Sequence, residues 1–256
     1  MIAKEYIVGL AKKGFRNDGR DFSEYRAPVT VEYGISGKAA EGSAKVTIGD
    51  TIVIAGVKVE IGTPYPDTPD KGTIMVNAEL TPLSSSEYES GPPTIDSIEL
   101  ARVVDRGIRE SHAIDFKKLC ITPKEKMWIV CIDIYSINAN GNLFDASALA
   151  ALAALKDAKF PAFDGETIDY KNRTKDGLPL NKLPLACTVW RVGDKLLVDP
   201  TRDEELASDA RLTIAFTEED EICAMQKGGE RAFSDEEVEN IITIASEKAK
   251  MLREAL

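Results

Sequence analysis

The chain has 256 residues, 43% of them hydrophobic and 29% charged, a globular composition that excludes wholesale disorder. Lys and Arg number 32 against 43 Asp and Glu, for a formal net charge of −11. A chain this acidic does not coat nucleic acid through bulk charge, so any contact with RNA or DNA requires a local basic patch. No apolar run approaches the roughly 18 residues of a membrane helix, and Ile7-Val8-Gly9-Leu10 is too short for a secretion signal. A cytoplasmic protein with no membrane association is expected. The cysteines, Cys120, Cys131, Cys187 and Cys223, form no C-x-x-C pair, so reduced and mostly buried thiols are expected, with no zinc site. The single histidine, His112, restricts any Ser–His or Cys–His mechanism to one residue.

In chain order, Ile2 to Lys13 has a helical pattern that Gly14 ends, followed by the turn-rich Arg16-Asn17-Asp18-Gly19-Arg20. Strands are predicted over Val29–Gly34, Ser43–Ile48 and Thr51–Glu60. The last two are joined by Gly49-Asp50, where glycine supplies the positive φ of a tight hairpin. Residues 62–72 carry three prolines and read as a loop, Thr73–Glu79 resumes as strand, and 83–93 is again a loop. Ile98, Ala101, Val104 and Ile108 recur at helical spacing and predict a helix over Ile95–Ser111. Trp128 to Ile137, almost continuously apolar, reads as a strand buried on both sides, broken at Asn138 to Asn142. Asp145 to Lys156, rich in Ala and Leu, reads as a tightly packed helix.

Phe160 to Pro184 is polar and punctuated by Pro and Gly, and is the expected linker (about 160–184) between an N-terminal half (about 15–160) and a C-terminal half (about 185–256) of a single domain, 1–256. The second half repeats the theme. Ala186–Val192 and Lys195–Asp199 flank a second Gly-Asp turn, and Arg211–Thr217 and Glu221–Met225 form another strand pair. A closing helix begins at the capping box Ser234-Asp235-Glu236-Glu237 and carries the apolar stripe Val238, Ile241, Ile242, Ala245, Ala249, Leu252 and Leu256. The expected class is α+β, with two similar halves of mixed sheet flanked by helices.

Four places are candidates for chemistry. Arg102, Arg106 and Arg109, at spacings of four and three, put three guanidinium groups on one helix face. There they either follow the phosphates of an RNA strand or form a solvated face neutralised by Glu99, Asp105 and Glu110. Asp199, Asp203, Glu204, Glu205 and Asp209 either hold a cation or supply a general acid, or simply suit a helix N-terminus. Asn140-Gly141-Asn142 precedes a helix as an anion-binding turn would, but no Lys, Arg, Ser or Thr lies between Ala139 and Ala146, and Asp145 repels a phosphate. There is no P-loop and no G-x-G-x-x-G. His112 reads as a residue at a helix C-terminus rather than as a catalyst.

These residues resemble the RNase PH-like proteins, and most closely the ring subunits of the archaeal exosome that lack catalysis. Arg16-Asn17-Asp18-Gly19-Arg20 is similar to the family's N-terminal Arg-x-Asp-Gly-Arg, and Gly42-Ser43-Ala44-x-Val46-x-x-Gly49-x-Thr51 to its first hairpin. Arg102, Arg106 and Arg109 resemble the Arg helix of catalytic members, and Asp199 with the acids after it resembles their catalytic segment. Roughly residues 15 to 250 are covered. Catalytic members carry Gly, then Ser or Thr, then Arg at the start of the helix after the long strand, and these bind the attacking phosphate. Here the place reads Gly141-Asn142-Leu143-Phe144-Asp145, with hydroxyl and guanidinium gone and a carboxylate added, and Glu205 stands where a later Asp is expected.

The resemblance therefore implies an inert subunit with no cofactor and no metal, paired with a catalytic RNase PH-like paralogue. Three such pairs would close a hexameric ring that carries RNA-binding cap subunits and degrades single-stranded RNA. Arg102, Arg106 and Arg109 would contact the RNA 3′ end beside the partner's active site. The alternatives are a chain that is itself a phosphorolytic 3′→5′ exoribonuclease or nucleotidyltransferase using Asp199, or a metal-dependent hydrolase built on the carboxylates between Asp199 and Asp209.

Overall fold

The computed structural model describes residues 2–256, with side chains from Lys4 onward. After the helix α1 (Ile2–Lys12) the N-terminal part builds a six-stranded sheet from β1 (Val29–Tyr33), β2 (Gly42–Ile48), β3 (Thr51–Gly62), β4 (Thr73–Glu79), β5 (Cys120–Thr122) and β6 (Lys126–Asn138). Its order is β1-β2-β3-β6-β4, with β5 on the side of β6. All pairings are antiparallel except β4 with β6, whose parallel register needs the crossover supplied by α2 (Ile95–Glu110). Gly49 turns the β2–β3 hairpin at φ +55°.

The helix α3 (Leu143–Asp157) follows β6, and β7 (Lys159–Phe163) and β8 (Ile168–Gly177) pair as a two-stranded ribbon. The stretch expected to be a linker thus carries its own hairpin, tied down by Phe160 and Phe163 against Trp128 at ring separations of 5.5 and 5.4 Å. The C-terminal sheet has the order β10-β9-β11-β12, all antiparallel, from β9 (Leu185–Val192), β10 (Lys195–Val198), β11 (Ala210–Phe216) and β12 (Ile222–Gly229). It also carries α4 (Arg202–Ala207) and the closing helix α5 (Asp235–Arg253).

The composition of α3 sets the architecture. Its Ala and Leu residues are apolar all round, so it cannot lie on a surface. It packs against β2 and β3 on one side and β9 on the other, with Leu149 to Ala154 fully buried. Small alanines let both sheets approach, and a Cβ on Gly42 would sit 2.4 Å from the Ala154 carbonyl oxygen. The helix α5 covers the far face of the second sheet through Ile241, Ala245, Ala249 and Leu252. Its capping box forms as expected, Ser234 and Glu237 each accepting from the other's backbone N–H.

Two expectations need correction. The strand β6 is buried on one face only. Val130, Ile132 and Ile134 point into the core, while Ile129, Cys131 and Asp133 are half-buried and Tyr135 is exposed. The thiols are free, but only Cys187 is buried; the other three are half-buried because Cys120, Cys131 and Cys223 lie on strands with one open side.

Candidate functional site

The two halves meet around the entrance of α3. Its N-cap, Asn142, has φ +56° and ψ +43°, a left-handed conformation that Asn adopts more readily than most residues. Gly141 at φ +92° lies so close to the chain before α4 that a Cβ there would stand 2.2 Å from the Pro200 carbonyl oxygen. The backbone N–H of Asn142, which an anion-binding helix would offer to a ligand, donates to Glu205 Oε1 at 2.7 Å. Glu205 reaches it from α4 and is steadied by Arg202 Nη1 on Oε2 at 2.9 Å. The protein's own carboxylate thus stands at the helix entrance. Burial pushes the Glu205 carboxyl above the ordinary glutamate range, opposed by the Asn142 N–H and the Arg202 guanidinium.

Behind this lies a buried ion-pair network in which Asp199 and Glu204 are each matched by arginine from the segment before β1. Asp199, at φ +45° with no exposed surface, accepts from Arg26 Nη2 and Asn142 Nδ2 on Oδ1 at 2.8 and 3.0 Å. Its Oδ2 accepts from the Arg26 backbone N–H and Nε at 2.7 and 2.9 Å and from Arg20 Nη1 at 3.1 Å. Arg26 also donates to the carbonyls of Asn140 and Gly141, clamping the turn before α3. Arg16 binds Glu204 through Nε and Nη2 at 2.9 and 2.6 Å, and donates to the carbonyls of Val198 and Asp199. The acids of this segment are therefore structural. Glu204 closes a capping box with Thr201, Asp203 to Glu205 fill the first turn of α4, and Asp209 pairs with Lys4. The reading in which Asp199 serves as general acid is not supported by this geometry, because both its oxygens are engaged and sealed from solvent. Nor do the carboxylates converge as a cation site would require: among the described residues no three His, Cys, Asp or Glu side chains cluster as metal ligands.

Asp145, in the first turn of α3, is fully buried and accepts from Tyr25 Oη and from Asn142 Nδ2. Burial, only partly opposed by these hydrogen bonds, pushes its carboxyl up to about 7. The proton is then held more tightly in the folded chain than in the unfolded one, where an aspartate titrates at about 3.9. The contribution of Asp145 to stability is full below about pH 4 and is lost as pH rises through about 7. Asp145→Asn stays neutral throughout. The variant's melting temperature minus that of the native chain should rise steadily between pH 5 and pH 8, measured by thermal denaturation; a difference independent of pH would contradict the assignment.

The arginine helix behaves differently. In α2, Leu100, Val104 and Ile108 face the core and Thr94 caps the start. Glu99 is drawn away to Arg211 at 2.7 Å, and Asp105 pairs with Arg109 at 2.7 Å. Arg102 is exposed and makes no ion pair or hydrogen bond among the described residues, while Arg106 Nη1 donates to Gln226 Oε1 of β12 at 3.0 Å. These two share a groove between α2 and β12. Arg109 is turned aside, donating also to the Ile74 carbonyl and lying 5.8 Å over the Phe116 ring. The structure thus brings Arg102 and Arg106 together and separates Arg109 from them. His112 sits at φ +55° just beyond the C-cap Ser111, exposed, with its N–H on the Arg109 carbonyl. Its position is that of a helix terminator.

The motif around Arg16 is visible in the sequence but its pairing with Glu204 is not, and local pattern does not point to Arg26, Arg211 or Gln226. Their partners lie far along the chain, and no periodicity signals a pairing of that range.

A six-stranded and a four-stranded sheet gripping one buried helix, with an arginine helix flanking its entrance, define an α+β protein of the RNase PH fold. The chain belongs to the 3′ exoribonuclease family: residues 24–161 match its domain 1 and residues 182–248 its domain 2. It is 48% identical over 256 residues to the exosome complex component Rrp42 of Methanocella arvoryzae, covering 100% of this chain and 95% of that protein. Among solved structures, it is similar to a chain of the Archaeoglobus fulgidus exosome with RNA bound to the active site, at a TM-score of 0.91 and 46% identity over 99% of this chain and 97% of that one. A chain of an archaeal exosome core matches at a TM-score of 0.85 and 44% identity, over 99% and 95% of the two. No helix of the described residues is long and apolar enough to cross a membrane.

Proposed function

We propose that this chain is a non-catalytic ring subunit of an archaeal exosome, a cytoplasmic complex that degrades RNA from its 3′ end with inorganic phosphate as nucleophile. It pairs with a catalytic RNase PH-like paralogue, three pairs close a hexameric ring, and cap subunits deliver single-stranded RNA to it. The observation that carries this reading is the Glu205 carboxylate on the Asn142 N–H, 2.7 Å away, at the helix entrance where catalytic members of the family hold phosphate. Phosphorolysis needs that anion fixed beside the scissile bond. A resident negative charge at the helix entrance repels it and already uses the N–H that would bind it.

On this reading Arg102 and Arg106 meet the phosphates of the RNA 3′ end, since they are the helix arginines without an acidic partner. Arg109, bound to Asp105, has the lesser part. The strong similarity to full-length exosome components supports the assembly.

The experiment is to incubate the chain with oligo(A), inorganic phosphate and Mg²⁺, alone and reconstituted with a catalytic paralogue, and to measure ADP release. The expected result is no release by the chain alone and robust release by the pair. Release by the chain alone would overturn the proposal.

A further inference from the structure

The charge that Arg102 presents depends on an acid one turn before it. Glu99 stands three residues ahead of Arg102 on α2, a spacing at which a carboxylate and a guanidinium meet on a helix surface. Both line the groove between α2 and β12, together with Arg106 and Gln226. Glu99 nevertheless turns from Arg102, and its Oε2 pairs with Arg211 Nη2 at 2.7 Å.

Arg211 is built into its place. It lies on β11 with its guanidinium 4.4 Å from the centre of the Phe144 ring and 5.6 Å from that of Trp190, and its side chain is only 11% exposed. Across the ladder it is registered with Gly228 of β12, where a Cβ would collide with the guanidinium. Glycine there leaves the space that the arginine fills. Aromatic faces favour a cation, and a guanidinium can stack on them while its N–H groups still meet a carboxylate. Among the described residues Glu99 is its one acidic partner.

The neighbouring arginines show what pairing does. Arg109 is matched by Asp105, and Arg202 by Glu205 and Glu87. Arg106 instead donates to the neutral amide of Gln226 at 3.0 Å, which orients a guanidinium without cancelling its charge.

We infer that Arg211 is a positioning residue for RNA binding: by drawing the Glu99 carboxylate toward the second sheet, it leaves Arg102 and Arg106 as a cationic pair with no acid between them. The inference rests on the reading in which these two arginines meet RNA phosphates. Arg211 acts through Glu99 and not by touching RNA.

The test is the RNA affinity of the ring reconstituted with a catalytic paralogue. It is measured by fluorescence anisotropy of labelled oligo(A) without inorganic phosphate, so that no phosphorolysis takes place. Arg211→Met keeps an apolar stem against the rings and removes the charge. The freed Glu99 should then pair with Arg102 and weaken RNA binding roughly threefold to tenfold, at most the loss of one charge-assisted contact. Adding Glu99→Gln should restore affinity to within about twofold of native. Arg211→Lys, which keeps the charge, should lose little. Arg211→Gln serves in the same comparisons where the methionine variant does not assemble.

An arginine that merely supports the fold gives a loss that Glu99→Gln does not repair. That result would overturn the inference, as would native affinity in Arg211→Met. Arg102→Ala, measured alongside, separates the two readings. If it binds weakly while Arg211→Met binds normally, only this inference fails. If Arg102→Ala keeps full affinity, the RNA contact fails and the inference falls with it.

Discussion

Asp199→Ala is expected to lower the stability of the chain by roughly 3–5 kcal/mol, the usual cost of removing one member of a buried, hydrogen-bonded ion pair. For a chain of this size that is a fall of roughly ten degrees in melting temperature. The reason lies in what the carboxylate holds. It accepts from the Arg26 guanidinium, the Arg26 backbone, Arg20 and Asn142, and without it the Arg26 charge stays 91% covered with no counter-ion. Asp199→Asn, which keeps the shape and one acceptor, should lose less. Thermal denaturation measures both. A catalytic acid behaves otherwise: its removal abolishes turnover and leaves the melting temperature near that of the native chain. An unaltered melting temperature in Asp199→Ala would therefore overturn the structural role.

The second large effect is expected at Arg102 and Arg106. In the reconstituted ring, each single alanine variant should weaken RNA binding roughly tenfold, the scale of one charge-assisted hydrogen bond to phosphate. The double variant should lose roughly a hundredfold if the two contacts act independently. The salt dependence is a separate readout. Each lost contact with a single strand should reduce the slope of log affinity against log salt by about 0.7. Arg109→Ala should change RNA binding much less and lower stability instead, because its guanidinium ties Asp105 to the Ile74 carbonyl. Both can be measured on rings whose assembly is confirmed by size-exclusion chromatography. Full RNA affinity in the double variant would remove the proposed contact.

The elements legible in the sequence are those with a short-range cause. Gly49 and Gly193 stand at positive φ in two-residue turns, the Ser234 capping box starts α5, and the three- and four-residue spacing of Ala101, Val104 and Ile108 marks α2. The helix α4 was hidden because its six residues are mostly acidic and its packing contact is the single turn around Ala207. The β7–β8 ribbon was hidden because β8 exposes nearly all its residues and so shows no alternation. Of the three acidic residues expected to neutralise the arginine helix, Asp105 does pair with Arg109, four residues away, and Glu110 makes no ion pair among the described residues. Glu99 leaves the helix for Arg211, a choice fixed by the second sheet and invisible to helical spacing. The same holds for the site. The missing hydroxyl and guanidinium at Gly141-Asn142-Leu143-Phe144 can be read directly, but the carboxylate that takes their place comes from Glu205 across the junction of the halves.

On the proposed reading, that carboxylate also stands in the way of any return to phosphate binding. Restoring a serine and an arginine at the head of α3 would leave Glu205 in place. Removing Glu205 would strip Arg202 of a partner and leave the Asn142 N–H unanswered. Gly141 has no room for any side chain against Pro200. On that reading, a chain altered to bind phosphate at this place is expected to be less stable than the native one. Glu205, Arg202 and Gly141 thus act as a keystone: the groups that close the entrance of α3 also join the two halves.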